Sequence, residues 1–327
     1  MSAPWRVLAL SPAPREMLLG FLGEGDWELA VPQTRTQAAV VEAAAGVELV
    51  LGDWTHVLRV DGPVFAAAPD LAFIQQPAAG TDTIDLAGAA ALGIPVANTG
   101  SANTVAVAEW CVLAAMALLR STIEADAAVR AGGWPQMSLP MRELAGARVG
   151  ILGFGRIGQA AARRFAAMDA EVAYWSRTAR PEVPHRWAPL PEVLATSEVL
   201  ISVLPSVPDT RGLLGPDALA AMPTGAVLVS AGRGDVLDES ALAAALHAGH
   251  LGGAALDVYE REPLPAEAVL RAAPHLLLSP HASGATLQAR RNIMLAVQAN
   301  LGRAVRGQPL VEVVNGAPTV VERRRAR

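Results

Sequence analysis

The stretch Arg148-Val-Gly-Ile-Leu-Gly-Phe-Gly-Arg-Ile-Gly158 joins an apolar run to three glycines in the spacing Gly153-x-Gly155-x-x-Gly158. An alanine-rich segment typical of a helix follows, and then Glu171-Val-Ala-Tyr-Trp175, which is typical of a strand. Gly153 permits a tight turn, Gly155 lets the backbone approach a pyrophosphate, and Gly158 lets the helix pack closely on the strand. Strand, glycine turn, helix and strand in this order predict a dinucleotide-binding unit, with the phosphates at the helix N-terminus.

Short apolar segments alternate with helical segments along the whole chain, which predicts an α/β fold with mostly parallel sheets. The predicted strands outside the glycine unit cover residues 6–10, 27–31, 47–51, 71–75, 94–97, 199–204, 226–230, 254–257 and 276–279. The strand spacing before residue 99 resembles a flavodoxin-like domain. We therefore predict a Rossmann-type domain over 100–285, inserted in a substrate (catalytic) domain formed by 1–99 plus 286–327. The latter should contain a helix near 286–305 and a final short strand at 310–314.

Composition excludes several classes of function. The 327 residues have a net charge of −5, so the chain lacks the positive charge expected of a nucleic-acid-binding protein. All 26 basic residues are arginine, which excludes a Schiff-base lysine. The basic end, residues 323–327, is predicted to be a solvated tail. No HExxH motif or cysteine cluster predicts a metal site.

The single cysteine and the most apolar stretch indicate in which cellular compartment the protein is expected. Cys111 cannot form an internal disulfide, lies in an apolar run and is predicted to be a buried thiol. The stretch from Val105 to Leu119 contains Glu109 and is too short to span a bilayer. No signal peptide is recognisable at the N-terminus. We therefore expect a cytoplasmic protein that does not associate with membranes.

Four motifs, taken in order, resemble those of the D-isomer-specific 2-hydroxyacid dehydrogenases, specifically enzymes of the glyoxylate/hydroxypyruvate reductase type. The motifs are Ala79-Gly-Thr-Asp-Thr-Ile-Asp85 with Gly93–Asn98 and Val107-Ala-Glu109, the glycine turn, Ser230–Asp238 with Ala241-Leu242, and Asp257–Pro265 with Pro280-His-Ala-Ser-Gly-Ala-Thr286. The resemblance covers nearly the whole chain. It implies hydride transfer between a nicotinamide cofactor and a small 2-oxo or 2-hydroxy acid of the D series.

Three residues fit the chemistry that this reaction needs. Arg233 can bind the substrate carboxylate through two parallel hydrogen bonds and stays charged. His281 can protonate the developing alkoxide, because imidazole exchanges protons near neutral pH. The resemblance implies that Glu262 is the carboxylate that orients His281 and favours its protonated form. Each residue alone could be an ordinary loop residue, but all three follow predicted strands, where the ligand edge of the sheet lies.

The resemblance also implies further substrate and cofactor contacts. The residues predicted to bind the cofactor are Thr104, Gly153, Gly155, Arg156, Ile157, Gly158, Ser176, Arg177, Thr178, Leu204, Pro205, Ala231, Gly232, Asp257, His281 and Gly284. Within this set, Asp257 and the Ala231 carbonyl would hold the nicotinamide amide. The backbone N–H groups at Ala79 and Gly80 would hold the substrate carboxylate. Trp54 could line the substrate pocket or simply pack in the core.

The residues after Trp175 indicate which nicotinamide cofactor is preferred. NAD-specific folds place a carboxylate about 20 residues beyond the glycines, where it binds the ribose hydroxyls. This chain has Ser176-Arg177-Thr178 there, a set that suits a 2′-phosphate. We therefore predict a preference for NADP(H), with NAD(H) also accepted if Arg177 only stacks on the adenine.

Three other functions are compatible with parts of the sequence. Formate dehydrogenases resemble this chain but carry glutamine at the position of Glu262, and phosphite dehydrogenases carry lysine at the position of Ala79. A cofactor-sensing corepressor would share the fold and the three catalytic positions. The resemblance also implies a homodimer, because the helix around Trp110 buries against a second subunit in the family.

Overall fold

The computed structural model describes residues 3–324 and divides them into two compact units. The first unit combines the chain up to Asn103 with the chain from Leu287 onwards. The second unit runs from Thr104 to Thr286. The first unit is therefore discontinuous in sequence, with the second inserted between its two parts.

The first unit is built on a five-stranded parallel sheet in the order β2-β1-β3-β4-β5. Its strands are β1 (Trp5–Ala9), β2 (Trp27–Ala30), β3 (Leu49–Leu51), β4 (Phe73–Gln75) and β5 (Val96–Ala97). Its helices are α1 (Arg15–Leu22), α2 (Gln37–Ala43), α3 (Gly62–Ala67), α4 (Leu86–Ala91) and α11 (Leu287–Val305). This strand order is that of flavodoxin, as predicted.

The second unit is built on a seven-stranded parallel sheet in the order β12-β11-β10-β9-β6-β7-β8. Its strands are β6 (Arg148–Leu152), β7 (Glu171–Trp175), β8 (Arg186–Trp187), β9 (Val199–Ser202), β10 (Val227–Ser230), β11 (Gly253–Leu256) and β12 (Leu276–Leu278). Its helices are α5 (Thr104–Leu119), α6 (Thr122–Arg130), α7 (Arg156–Ala166), α8 (Leu190–Thr196), α9 (Pro216–Ala220) and α10 (Glu239–His247). The strand order reverses between β6 and β9. In open α/β sheets this reversal is where ligands bind, at the carboxyl ends of the strands.

Helices α5 and α7 pack on one face of the second sheet, in a core of mostly small and aliphatic side chains that also holds Phe154, Phe165 and Tyr174. Alanines at the buried positions of α5 allow its backbone to approach α7 closely. Cys111 lies in this core with no exposed surface, and burial raises the pKa of its thiol to about 12. The predicted buried thiol is therefore confirmed.

Helices α5 and α6 are the consecutive pair of helices relevant to a membrane span. In the described part of the chain, no single helix is long and apolar enough to cross a membrane. The two helices together reach that length and composition, but they bend by 59° at the break between them.

The predicted strand at 310–314 is wrong. Only one isolated antiparallel bridge forms there, between Val313 and Ala97 on β5. Glu312 adopts a positive φ of 56°, which interrupts the extended backbone that a strand requires. The edge strand β5 is only two residues long, so it offers little for a further strand to pair with.

The prediction of a solvated basic tail is wrong for Arg323, whereas Arg324 is exposed, and residues 325–327 lie outside the described residues. Arg323 forms a two-pronged ion pair with Glu48, and Arg324 donates to the Leu92 carbonyl at 2.7 Å. Glu48 has no exposed side-chain surface, whereas the Arg323 side chain is 24% exposed. This end of the chain is therefore fastened to the first unit by a buried charge.

Candidate active site

The glycine turn lies between β6 and α7, as the sequence predicted. Gly153 has a φ of +92°, and a Cβ there would lie 3.0 Å from the Val203 carbonyl oxygen. A Cβ on Gly158 would lie 2.1 Å from the Gly153 carbonyl oxygen, so helix and turn touch through backbone atoms alone. A Cβ on Gly155 would meet nothing within 4 Å. Backbone atoms thus fill the space beside Gly153 and Gly158, whereas the space beside Gly155 is empty. This empty space lies next to the first N–H groups of α7 and therefore fits a pyrophosphate.

Most of the other predicted cofactor residues stand at the same edge of the second sheet. Ser176, Arg177 and Thr178 follow β7; Leu204 and Pro205 follow β9; Ala231 and Gly232 follow β10; Asp257 follows β11; and His281 and Gly284 follow β12. Thr104 instead begins α5. The parallel sheet therefore gathers residues from five strand ends at one edge, although their contact with a cofactor stays a prediction.

The three residues directly after β7, Ser176, Arg177 and Thr178, include no carboxylate. The Ser176 hydroxyl donates to the Thr178 carbonyl at 2.7 Å, and the Trp187 indole N–H donates to the Ser176 carbonyl at 3.0 Å. Arg177 and Thr178 are exposed. The Ser176 proton is thus used within the loop, and contact of Arg177 or Thr178 with a 2′-phosphate stays a prediction.

Arg233 lies in the turn that follows β10. Its Nη1 donates to the Gly232 carbonyl at 2.8 Å, and the residue is half-buried. The next residue, Gly234, lies against another backbone segment, because a Cβ there would stand 1.9 Å from the Tyr259 carbonyl carbon. The turn that carries Arg233 is thus pressed directly onto the segment after β11.

Glu262 and His281 form the hydrogen-bonded pair that the resemblance implied. The Glu262 Oε2 to His281 Nδ1 distance is 2.7 Å, and Glu262 Oε1 accepts the Tyr259 N–H at 3.0 Å. His281 adopts a positive φ of 53°, which is uncommon for a residue other than glycine. A carboxylate on Nδ1 fixes the tautomer that carries its proton there, leaving Nε2 to exchange protons with a substrate.

Asp257 is fully buried at the end of β11 and binds the segment that follows His281. Its Oδ1 accepts the Ala282 N–H at 2.7 Å, and its Oδ2 accepts the Ser283 N–H at 2.9 Å. Both carboxylate oxygens therefore already accept a backbone hydrogen bond. Each retains a second lone-pair direction, so the predicted contact with the nicotinamide amide stays a prediction.

The predicted substrate contacts outside this sheet lie in the first unit. The loop after β4 holds half-buried Ala79 and Gly80, and the Asn98 side-chain amide donates to the Ala79 carbonyl at 2.7 Å. Trp54 packs partly in the core of this unit, with its ring centroid 5.5 Å from that of Phe21. Core packing is thus observed for Trp54, whereas a role in substrate binding stays a prediction.

Tyr259 lies inside the motif Asp257–Pro265, but the sequence predicted no role for it. It stands two positions after Asp257 and three before Glu262, and its side chain is buried. A buried tyrosine needs a hydrogen-bond partner for its hydroxyl, and this requirement was the one feature of the sequence that could have pointed to Tyr259. Among residues 3–324, no three His, Cys, Asp or Glu side chains form a metal-binding group.

Comparison with known proteins relates these features to a family. The family model described as D-isomer specific 2-hydroxyacid dehydrogenase, NAD binding domain, matches residues 112–283. The glyoxylate reductase of Thermococcus onnurineus is 36% identical over 268 residues, which cover 79% of this chain and 80% of that protein.

Two solved structures share the fold over nearly their whole length. An NADPH-dependent glyoxylate/hydroxypyruvate reductase from Sinorhizobium meliloti, in complex with NADP and malonate, has a TM-score of 0.86 at 30% identity and covers 100% of both chains. An NAD-dependent formate dehydrogenase from Staphylococcus aureus, in complex with NAD, has a TM-score of 0.81 at 27% identity, covering 91% of this chain and 95% of that one.

The chain belongs to the D-isomer-specific 2-hydroxyacid dehydrogenase family, and it is an NAD(P)-dependent oxidoreductase that acts on CH–OH groups. The family and the two-domain α/β fold predicted from the sequence motifs are thereby confirmed.

Proposed function

We propose that this enzyme reduces small 2-oxo acids of the glyoxylate and hydroxypyruvate type to the corresponding 2-hydroxy acids, with the D configuration where the product is chiral and with NADPH as the preferred reductant. The observation that carries the proposal is the Glu262–His281 pair, joined at 2.7 Å at the sheet edge where the Arg233 turn also lies. The names of the Thermococcus and Sinorhizobium relatives support the substrate class. The second unit would bind the cofactor and the first would be the substrate domain.

In this mechanism the bound nicotinamide supplies the hydride, and the chain supplies charge and a proton. Arg233 holds the substrate carboxylate through its guanidinium, which matches a carboxylate in shape. His281 Nε2 donates a proton to the carbonyl oxygen as negative charge develops there. Glu262 stabilises the protonated ring before transfer and keeps its orientation afterwards. In the oxidative direction, neutral His281 accepts the hydroxyl proton instead.

The first experiment measures absorbance at 340 nm with purified protein, NADPH or NADH, and 2-oxo acids from glyoxylate to phenylpyruvate. Robust turnover with the smallest members and NADPH is the expected result. Turnover only with large 2-oxo acids would overturn the substrate class. Tight NADPH binding without turnover of any acid would favour a cofactor-sensing role, and oxidation of formate would favour a formate dehydrogenase.

Arg177→Ala should lower the NADPH/NADH ratio of kcat/KM by about tenfold or more, since charge-assisted hydrogen bonds contribute about 1.5–3 kcal/mol. The matched control is Arg180→Ala, which removes an arginine from the same exposed loop. Arg180 is not among the predicted cofactor-binding residues, and its Nη1 lies 3.8 Å from Glu182 Oε1. The control should leave the ratio unchanged. An unchanged ratio in Arg177→Ala would show that Arg177 does not select the cofactor.

We further propose that the enzyme is a cytoplasmic homodimer that associates through α5 and α6. Their outer surfaces expose several large apolar side chains, of which Leu113, 66% exposed, is the most accessible. Leu113→Glu should convert a dimer into a monomer in light scattering. Leu295→Glu, on the exposed side of α11, should leave the mass unchanged. A concentration-independent monomer in the wild type would refute the dimer.

A further inference from the structure

Tyr259 supports the Glu262–His281 pair at two points, through its backbone N–H and through its side-chain hydroxyl. Its backbone N–H donates to Glu262 Oε1 at 3.0 Å. Its hydroxyl lies 2.8 Å from the Ser279 carbonyl oxygen and accepts the Ser279 N–H at 3.1 Å. Ser279 is two residues before His281. One residue is therefore bonded to the side chain that orients the imidazole and to the backbone that carries it.

These bonds close a circuit through the candidate catalytic pair. From the Tyr259 N–H the circuit passes to Glu262 Oε1, and from Glu262 Oε2 to His281 Nδ1 at 2.7 Å. The His281 backbone N–H then donates to the Ser279 carbonyl at 3.1 Å. The same carbonyl accepts the Tyr259 hydroxyl, which returns the circuit to its starting residue.

The circuit matters because His281 adopts an unfavourable backbone conformation. A positive φ at a non-glycine residue persists only when the surrounding bonds impose it. Tyr259 holds the backbone before His281 at Ser279, and Asp257 holds the backbone after it at Ala282 and Ser283. Asp257 and Tyr259 are two positions apart on one segment, so a single strand end fixes His281 from both sides.

The Arg233 turn rests on the same residue. A Cβ on Gly234 would lie 1.9 Å from the carbonyl carbon and 2.0 Å from the carbonyl oxygen of Tyr259, so the two backbones are in direct contact. Displacement of the Tyr259 backbone would therefore disturb the candidate carboxylate-binding turn as well as the proton-transfer pair.

We infer that Tyr259 is a positioning residue for proton transfer, whose hydroxyl fixes the His281 backbone in the orientation that Glu262 requires. The inference deepens the proposed function and rests on it for the kinetic part of its test. Burial, together with the negative charges of Asp257, Glu262 and Glu239, raises the pKa of the Tyr259 hydroxyl to about 12. The hydroxyl therefore stays protonated, and able to donate, at every pH at which the enzyme would be assayed.

Tyr259→Phe removes only the hydroxyl and keeps the buried ring. The Ser279 N–H retains its bond to the Leu256 carbonyl at 2.9 Å, so the end of β12 should stay folded. We expect kcat to fall about tenfold, because the variant loses the one or two hydrogen bonds by which the hydroxyl orients His281. Cofactor affinity should stay within twofold of wild type. The alkaline limb of the kcat/KM profile should move to lower pH, because the imidazolium loses part of its contact with Glu262.

The matched control is Tyr174→Phe, since Tyr174 and Tyr259 are the only two tyrosines of the chain. Tyr174 is fully buried in the same unit, and its hydroxyl accepts the Arg180 N–H at 2.7 Å. It should lose comparable thermal stability while keeping kcat and the pH profile. A Tyr259→Phe enzyme with kcat within twofold of wild type and an unshifted pH profile would overturn the inference.

A measurement without substrate separates this inference from the proposed function. The His281 ring can be followed by ¹⁵N NMR in the apoprotein, with its signals assigned by their loss in His281→Asn. In Tyr259→Phe the midpoint of this titration should move to lower pH, and in Tyr174→Phe it should not. If wild type reduces no 2-oxo acid, the proposed function fails, and the NMR titration alone then supports or overturns the positioning role.

Discussion

Replacing His281 with alanine should lower kcat for reduction by ~10²–10⁴-fold, which is the usual contribution of a general acid. Cofactor affinity should change far less than kcat, because His281 is only one of the predicted cofactor contacts and the glycine turn follows a different strand, β6. Steady-state kinetics and fluorescence titration with NADPH measure the two quantities separately. A fall in kcat of less than threefold would remove His281 from the proton-transfer step.

Two further variants separate loss of the imidazole from backbone strain. Asparagine tolerates a positive φ better than alanine, so His281→Asn keeps the backbone and should lose as much activity as His281→Ala. The matched control is His275→Ala, because His275 also has a positive φ, of 52°, and pairs with a glutamate, Glu124, at 2.9 Å. His275 lies outside the candidate site, so kcat should remain within twofold. A large loss in His275→Ala would point to general loop damage.

Replacing Arg323 with methionine should lower the free energy of unfolding of the first unit by about 3 kcal/mol, since breaking a buried ion pair costs about 3–5 kcal/mol. The low end applies because the Arg323 side chain is partly exposed and Glu48 keeps the Arg6 N–H at 3.1 Å. Arg323 also stacks on Trp5, with its guanidinium carbon 4.5 Å from the ring centroid. Urea unfolding followed by circular dichroism measures the change.

The neighbouring arginine supplies the control for this prediction. Arg324→Met removes the same charge but breaks only one exposed bond to a backbone carbonyl, so we expect a loss below about 1 kcal/mol. The double variant Glu48→Gln/Arg323→Met should lose less free energy of unfolding than the two single variants lose in sum. In the double variant both partners are uncharged, so no unpaired charge remains buried. Equal losses in Arg323→Met and Arg324→Met would show that burial of Glu48 does not matter.

The sequence alone was sufficient where the physical constraint is local. A run such as Val149–Leu152 followed by spaced glycines predicts a strand and a turn, because the positive φ of Gly153 and the close contact at Gly158 exclude side chains. The same local reasoning predicted the parallel α/β sheets. It failed at residues 310–314, where the positive φ of Glu312 and the two-residue length of β5 prevent a ladder.

The candidate site shows the same division. Motif order and family resemblance indicated Arg233, Glu262 and His281, because proton transfer and carboxylate binding require those chemical types. The sequence could not show that Glu262 and His281, nineteen positions apart, meet at 2.7 Å. It also gave Tyr259 no role, because that role exists only in bonds joining the ends of two neighbouring strands.

For this protein, the sequence by itself determined the fold class, the family, the glycine turn and the candidate catalytic residues, since these depend on hydrophobic periodicity, backbone sterics and side-chain chemistry. Only the tertiary structure decided that Arg323 pairs with Glu48, which is 275 positions away in the sequence. The same holds for the circuit of hydrogen bonds through Tyr259 and Ser279. Both depend on which groups burial brings together and deprives of water. A buried charge or hydroxyl must find its partner in space, and sequence separation does not constrain that choice.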